Sequence, residues 1–136
     1  MKRFYYMGLN LNSIIMKNKI EKFEDLQIWQ RSMEFVYEIY RQFEVLRDFG
    51  FKDQIQRASV SVPANIAEGF ERHSNKEFIR FLYIARGSAG ECRTLMYLAK
   101  RLKFVDNETA DKLIEEIKQI SSMTYGLIKT RQEKFK

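Results

Sequence analysis

The stretch Arg57-Ala-Ser-Val-Ser-Val-Pro-Ala-Asn-Ile-Ala-Glu-Gly69 holds the only proline of the chain, Pro63, inside a segment that otherwise has the pattern of a helix. At about 100° per residue, the polar side chains in and around this stretch fall on one narrow stripe. They are Gln54, Arg57, Ser61, Asn65, Glu68 and Arg72. The rest of the helix is mostly apolar, which is typical of a protein interior. Because an unpaired buried polar group costs roughly 1–3 kcal/mol, the stripe needs partners.

Composition limits the class of protein. A chain of 136 residues with 45% hydrophobic residues is most simply one domain with a substantial core. One proline and six glycines favour long helices over a sandwich or barrel. The single cysteine, Cys92, excludes an internal disulfide framework. Without an apolar run of about 18–20 residues, or a convincing signal peptide in residues 1–15, we expect a cytoplasmic protein with no membrane partner.

The net charge of +6 is concentrated at the two ends of the chain. Residues 1–22 carry five basic and one acidic side chain, and residues 129–136 carry four basic and one acidic. The remainder has 15 basic and 16 acidic residues. We therefore predict a basic extension over residues 1–22, a folded body over 23–131 and a basic tail over 132–136. Met16 is a plausible alternative start, which would make residues 1–15 an accidental or accessory extension.

The spacing of apolar residues predicts four helices. The first spans about Phe23 to Val45 and the second about Lys52 to Arg72. Ser74 and Glu77 form a capping box that opens the third helix, and Asp106 or Asn107 caps the fourth. The predicted inner seams are Leu26, Trp29, Met33, Val36, Tyr40 and Phe43; Phe78, Phe81, Ala85, Ser88, Cys92, Leu95, Ala99 and Leu102; and Ala110, Leu113, Ile117, Ile120, Thr124 and Leu127. Short connections make this an all-α, antiparallel up-down-up-down four-helix bundle.

Pro63 has two interpretations. Inside a helix it removes one hydrogen bond and clashes with the carbonyl four residues back, which kinks the helix. Alternatively, the helix ends near Val62 and restarts with Pro63 in its first turn. The apolar pattern continues in phase through the site, so we favour a second helix kinked at Pro63.

The third helix offers partners to the polar stripe. Arg86-Gly-Ser-Ala-Gly-Glu91 is rich in small residues, which allow two helices to approach closely. Glu68 with Arg86, and Arg57 with Glu91, are possible ion pairs across that contact. The expected structural polar cluster is Arg57, Ser61, Asn65, Glu68, Arg86, Ser88 and Glu91. A role in register is favoured, while ligand binding, nucleic-acid binding and catalysis stay open as alternatives.

The outer face of the third helix combines basic and aromatic residues within an arc of about 160°. The candidate nucleic-acid-binding residues there are Lys76, Arg80, Tyr83, Arg93, Tyr97, Lys100 and Arg101. Such a pattern suits phosphate contacts and stacking on unpaired bases. No acidic residue of this helix interrupts the arc. An ordinary solvated face and a subunit interface are the competing interpretations.

Enzyme chemistry has little support in the sequence. One histidine, His73, and one cysteine, Cys92, do not form a zinc site of the usual ligand types. We find no phosphate-binding loop or dinucleotide glycine motif. Glu68 and Glu91 could act as an acid/base pair, but no second motif supports that reading. We predict no catalytic residue, metal site, cofactor or small-molecule substrate.

Several motifs together resemble the bacterial 23S rRNA intervening sequence proteins, also called four-helix bundle proteins. They are Phe23-Glu-Asp-Leu-Gln-Ile-Trp-Gln30, Gln54-Ile-Gln-Arg-Ala58, Ser61-Val-Pro-Ala-Asn-Ile-Ala-Glu-Gly-Phe70, Lys76-Glu-Phe-Ile-Arg-Phe-Leu82 and Ile84-Ala-Arg-Gly-Ser88. The resemblance implies a small bundle, commonly a homopentamer, often encoded within an insertion in a 23S rRNA gene. A related branch, the accessory variability determinants of diversity-generating retroelements, binds nucleic acid and a reverse transcriptase. Residues 41–51 lack the leucine-proline that the family often has after its first helix.

We therefore expect a non-enzymatic, homo-oligomeric helical bundle that associates with RNA or a ribonucleoprotein through basic surfaces. The alternative is a structural adaptor that contacts only protein and binds no nucleic acid. Salt-sensitive RNA binding separates the two hypotheses, because phosphate contacts weaken as salt rises.

Overall fold

The computed structural model describes residues 19–134, which form an all-α helical bundle. A short 3-10 helix at Phe23–Asp25 precedes four α-helices, and no strand occurs within the described residues. The four helices are α1 (Gln27–Gln42), α2 (Phe49–Glu71), α3 (Asn75–Arg101) and α4 (Asn107–Lys134). The predicted fold class and number of helices are confirmed.

Three helices begin at side-chain caps. The carboxylate of Asp48 accepts a hydrogen bond from the backbone N–H of Phe51 at 3.1 Å, so α2 starts three residues earlier than the predicted Lys52. The hydroxyl of Ser74 accepts from the N–H of Glu77 at 3.3 Å, as predicted. Asp106 caps α4 by accepting from the N–H of Thr109 at 2.8 Å. This bond and one from the Thr109 hydroxyl hold the pKa of Asp106 below its ordinary value.

The helices pack in the order of the chain, and α1 also contacts α4. Near the end of α3, Lys100 binds Asp111 in the first turns of α4 at 2.7 Å. At the other end of the pair, Asn75 binds Arg131 with the Arg131 Nε donating at 2.8 Å. These contacts favour the antiparallel up-down-up-down order, which we keep as a prediction together with the kink at Pro63.

The core seams of α3 and α4 agree with the sequence prediction at most positions. The buried predicted residues are Phe78, Phe81, Ala85, Cys92, Leu95 and Ala99 on α3, and Ala110, Leu113, Ile117, Ile120 and Thr124 on α4. Ser88 and Leu127 are half-buried, and Leu102 is 54% exposed. Leu102 lies just beyond the last helical residue, where the regular pattern no longer places side chains.

The predicted seam of α1 is wrong at Met33 and Tyr40, while the predicted Trp29 is half-buried and packs against the core. Ile28, Phe35 and Ile39 are buried, whereas Met33 is 44% and Tyr40 is 45% exposed. Helix α1 carries apolar side chains on two sides, and periodicity alone does not say which side meets the rest of the bundle. Only the flanking predictions Leu26 and Phe43 are buried as expected.

Helix α2 is continuous from Phe49 to Glu71, with Pro63 buried inside it. The alternative in which the helix ends near Val62 and restarts is therefore wrong. Near its end, α2 approaches α3 so closely that a Cβ built on Gly69 would lie 2.6 Å from the Cβ of Phe81. Glycine is required there by the distance between the two backbones.

The predicted terminal segments lie mostly outside the described residues. Residues 1–18 and 135–136 are not described, so the extension over 1–22 stays a prediction. Helix α4 continues to Lys134, three residues into the segment 132–136 that was expected to be a tail. Among the described helices, none has an apolar stretch of the length needed to cross a membrane.

Candidate nucleic-acid interface on α3 and α4

Three polar side chains connect α2 to α3. The hydroxyls of Ser61 and Ser88 lie 2.8 Å apart across the helix contact. The amide nitrogen of Asn65 donates to the Ser61 hydroxyl at 2.9 Å and to the Ser61 carbonyl at 2.8 Å. All three are half-buried, so the hydrogen bonds satisfy groups that would otherwise be poorly solvated. This trio fits the structural role predicted for the polar stripe.

The predicted ion pairs across the α2–α3 contact are not formed. Arg57 instead binds Asp53 at 2.9 Å on its own helix, and Glu68 binds Arg72 at 2.9 Å. Glu91 is exposed. Arg57 and Glu68 are exposed, and each pairs with a residue four positions away on its own helix instead of reaching across the contact.

A polar contact that the sequence analysis missed joins α1 to α4. The Arg31 guanidinium donates to both carboxylate oxygens of Glu116, at 2.6 and 3.0 Å, and to Gln119 at 2.7 Å. Both charged side chains are about two-thirds buried, with 29% and 34% exposed. The hydrogen bonding of Arg31 to the Glu116 carboxylate raises the pKa of Arg31 above its ordinary value. Nothing in the local sequence pattern identifies partners 85 residues apart.

The basic arc on α3 is partly neutralised. Arg80 is bound by Glu77 at 3.3 Å and lies over the ring of Phe81, and Lys100 is bound by Asp111. Lys76 and Arg101 are exposed. The arc itself holds no acidic residue of α3, but Glu77 reaches it from the edge of the helix and Asp111 reaches it from α4.

The side of α3 that faces α4 keeps its positive charge. The guanidinium carbon of Arg86 lies 4.4 Å from the ring centroid of Tyr125, and the Nζ of Lys129 lies 5.8 Å from the same ring. Two turns along α3, Arg93 lies over the ring of Tyr97 at 5.8 Å. Tyr83 accepts a hydrogen bond from Gln132 at 3.4 Å. We call Tyr83, Arg86, Arg93, Tyr97, Tyr125 and Lys129 the α3–α4 cluster.

Two members of this cluster, Tyr125 and Lys129, were missed from sequence. Their i,i+4 spacing on α4 is a detectable signal, because it places an aromatic ring beside a cation on one helix face. Arg86 falls within the basic arc by helical count, but it was assigned to the structural polar cluster. Its position over Tyr125 depends on how α3 and α4 pack, which a single-helix pattern does not contain.

Cys92 and His73 lie in different environments. Cys92 is fully buried, and burial raises the pKa of its thiol to about 12, with a smaller contribution from Glu91. His73 is exposed in the turn between α2 and α3, with a positive φ of 54°. Within residues 19–134, no group of three metal-ligating side chains is present. The Cys92 thiol, with its raised pKa, is a poor nucleophile.

Comparison with known proteins identifies the family. The sequence model of the 23S rRNA-intervening sequence protein family matches residues 24–126, which include α1 to α3 and most of α4. The chain belongs to this family. None of the curated proteins compared with the chain matches it.

A solved structure supports the family assignment. It is described as a protein with unknown function from the S23 ribosomal protein family from Bacteroides thetaiotaomicron VPI-5482. The two chains share 26% sequence identity with a TM-score of 0.71, over 75% of this chain and 98% of that chain. The family match and this structure together support the helical bundle.

Proposed function

We propose that this member of the 23S rRNA-intervening sequence protein family is a non-enzymatic, homo-oligomeric bundle that associates with RNA through the α3–α4 cluster. The observation that carries the proposal is the placement of Arg86 and Lys129 within 4.4 and 5.8 Å of the ring centroid of Tyr125. The resemblance of the sequence to its family implies five copies, and we adopt that number as part of the proposal.

The charges of the α3–α4 cluster suit a phosphate backbone. Arg86, Arg93 and Lys129 form no ion pair within the described residues, unlike Arg80 and Lys100. Their charge is therefore available to phosphates, whose binding releases counterions. Lys76 and Arg101, which are exposed, extend this positive surface along α3.

The aromatic residues of the cluster suit unpaired bases. Tyr83 is 45%, Tyr97 is 48% and Tyr125 is 39% exposed. Stacking of a base on an aromatic side chain contributes about 1–3 kcal/mol and tolerates any base. Arg93 beside Tyr97 and Arg86 beside Tyr125 each add a cation that stacks on or pairs with the nucleotide. This combination favours single-stranded segments or loops of RNA over a regular duplex.

The test is binding of a fluorescently labelled single-stranded RNA, followed by anisotropy. The triple variant Arg86→Glu, Arg93→Glu, Lys129→Glu should weaken binding by at least about tenfold, since it reverses three phosphate contacts. The control variant carries the same change in net charge elsewhere. Its substitutions are Arg47→Glu, Arg57→Glu and Lys112→Glu, at exposed positions on the α1–α2 loop, α2 and α4.

Equal weakening by both triple variants would remove the α3–α4 cluster from consideration, because only overall charge would then matter. Wild-type protein that binds no RNA at low salt would overturn the RNA proposal. That outcome would favour the adaptor that contacts only protein. The exposed apolar residues of α1 are the observation that supports this second function.

A further inference from the structure

Two arginines of the α3–α4 cluster contact aromatic rings at different heights along α3. The guanidinium carbon of Arg86 lies 4.4 Å from the ring centroid of Tyr125, and that of Arg93 lies 5.8 Å from the ring centroid of Tyr97. At 1.5 Å per residue, the two turns between Arg86 and Arg93 separate them by about 10.5 Å along the helix axis. We call Arg86 with Tyr125 the first pair, and Arg93 with Tyr97 the second pair.

The surface between the two pairs is low. Gly90 lies one turn after Arg86 and one turn before Arg93, so it is on the same side of α3 as both. A Cβ added at Gly90 would meet no atom within 4 Å. The hydroxyl of Thr94 donates a hydrogen bond to the Gly90 carbonyl at 3.0 Å, which keeps that side chain against the helix. A ligand that crosses from one pair to the other can therefore lie close to the α3 backbone.

The charge along this path is of one sign. Lys129 lies 5.8 Å from the ring centroid of Tyr125 and adds a second cation to the first pair. Glu91 lies between the pairs in sequence, but by helical count it is about 140–160° around the helix from Arg86 and Arg93. No acidic side chain of α3 therefore lies on the path between the pairs.

We propose that the ligand of the α3–α4 cluster is a single RNA strand that contacts both pairs and passes over Gly90. The inference rests on the proposed function and specifies the class of RNA that this site takes. The arginines of the two pairs bind phosphates at the two ends of the crossing segment. The rings of Tyr97 and Tyr125, which are 48% and 39% exposed, stack on bases beside those phosphates.

The separation of the pairs sets the shortest strand that contacts both. Phosphates of one strand are about 3.4 Å apart along the axis of a duplex, so about 10.5 Å corresponds to three or four stacked nucleotides. A mononucleotide reaches only one pair. A strand of sufficient length makes its second contact intramolecularly, which raises affinity by roughly a hundredfold or more over a single contact. The site therefore favours short oligonucleotide segments over free nucleotides.

The test compares an oligouridylate of about four nucleotides with uridine monophosphate. Gly90→Leu fills the surface between the pairs and removes neither of them. It should weaken oligouridylate binding by at least about tenfold, because the strand then keeps only one pair. Uridine monophosphate binding, followed by NMR chemical-shift titration, should stay within about twofold of the wild type, since each pair is intact. Circular dichroism confirms that the variant is folded.

Gly126→Leu is the matched control. Gly126 also has open space around it inside a helix, but it lies on α4, about 100° around that helix from Tyr125. This variant should bind both probes like the wild type. Because both variants exchange glycine for leucine, any general effect of the substitution on helix stability appears in both.

The remaining outcomes contradict the inference at separate points. Unchanged oligouridylate binding by Gly90→Leu, or an equal loss in Gly126→Leu, overturns the path over Gly90. An equal loss for uridine monophosphate means that leucine disturbs a pair, and it overturns the path as well. Wild-type protein that binds the oligouridylate but shows no shift with uridine monophosphate overturns the two separate contacts. Wild-type protein that binds no oligouridylate at low salt overturns the proposed function itself.

Discussion

Replacement of Gly69 by alanine tests the close approach of α2 and α3. The new Cβ would lie 2.6 Å from the Cβ of Phe81, 3.3 Å from the Cδ1 of Phe78 and 3.4 Å from the Phe78 carbonyl oxygen. Carbon atoms prefer a separation of about 3.5–4.0 Å. The Cβ of Phe81 is fixed to its backbone and does not rotate away. The two helices must therefore separate by about 1 Å, which loosens packing around both phenylalanines.

Overpacking of this kind costs about 1–3 kcal/mol. Alanine also recovers up to about 1 kcal/mol of helix propensity, although Gly69 lies in the last turn of α2, where the gain is smaller. We expect a net loss of about 2 kcal/mol in the free energy of unfolding. The measurement is urea denaturation at one fixed protein concentration, because self-association makes apparent stability depend on concentration.

Gly126→Ala is the control for this substitution. Gly126 is inside α4, and a Cβ there would meet no atom within 4 Å. Its replacement should stabilise the protein by about 0.5–1 kcal/mol through helix propensity alone. The diagnostic result is that the free energy of unfolding falls for Gly69→Ala and rises for Gly126→Ala. If Gly69→Ala proves as stable as the wild type or more so, α2 and α3 do not approach as closely as described.

Two further predictions concern buried groups. Arg31→Ala should lower the free energy of unfolding by about 1.5–3 kcal/mol, because Glu116 loses two charge-assisted bonds; a double-mutant cycle with Glu116→Ala that shows no coupling energy would contradict this. Because the pKa of Cys92 is raised to about 12, the unfolded thiol ionises first as pH rises. Stability should therefore fall above about pH 9, by up to about 1.4 kcal/mol per pH unit. The fall should be shallower in Cys92→Ala by urea titration, and equal slopes would count against the assignment.

The sequence was most informative where one face of a helix is apolar and the other is polar. The seams of α3 and α4 follow that rule, and most of the residues predicted for them are buried; the buried Leu82, Ala89, Met96, Ile114 and Ile128 were not predicted. Helix α1 breaks the rule, because it has the buried Ile28, Phe35 and Ile39 on one side and the exposed Met33, Tyr37 and Tyr40 on another. Periodicity alone does not distinguish an apolar side that packs into the bundle from one that stays exposed.

The candidate site depends on contacts between helices, which explains why it was only partly predicted. Arg93 and Tyr97 lie on one helix, and their association follows from their spacing. The Arg86–Tyr125 contact requires the register of α3 against α4, which no local signal specifies. In the polar stripe, the short side chains of Ser61 and Ser88 meet as expected. The long charged side chains of Arg57 and Glu68 instead pair with Asp53 and Arg72 on their own helix.

The salt dependence of RNA binding tests the central proposal most directly. Anisotropy titrations of the wild type and of the Arg86→Glu, Arg93→Glu, Lys129→Glu variant are compared over a range of salt concentrations. Each phosphate contact on single-stranded nucleic acid contributes about −0.7 to the slope of log affinity against log salt, so the variant should be shallower by about 2. Equal slopes for the two proteins, or no RNA binding by the wild type at any salt concentration, would contradict the assignment of the α3–α4 cluster.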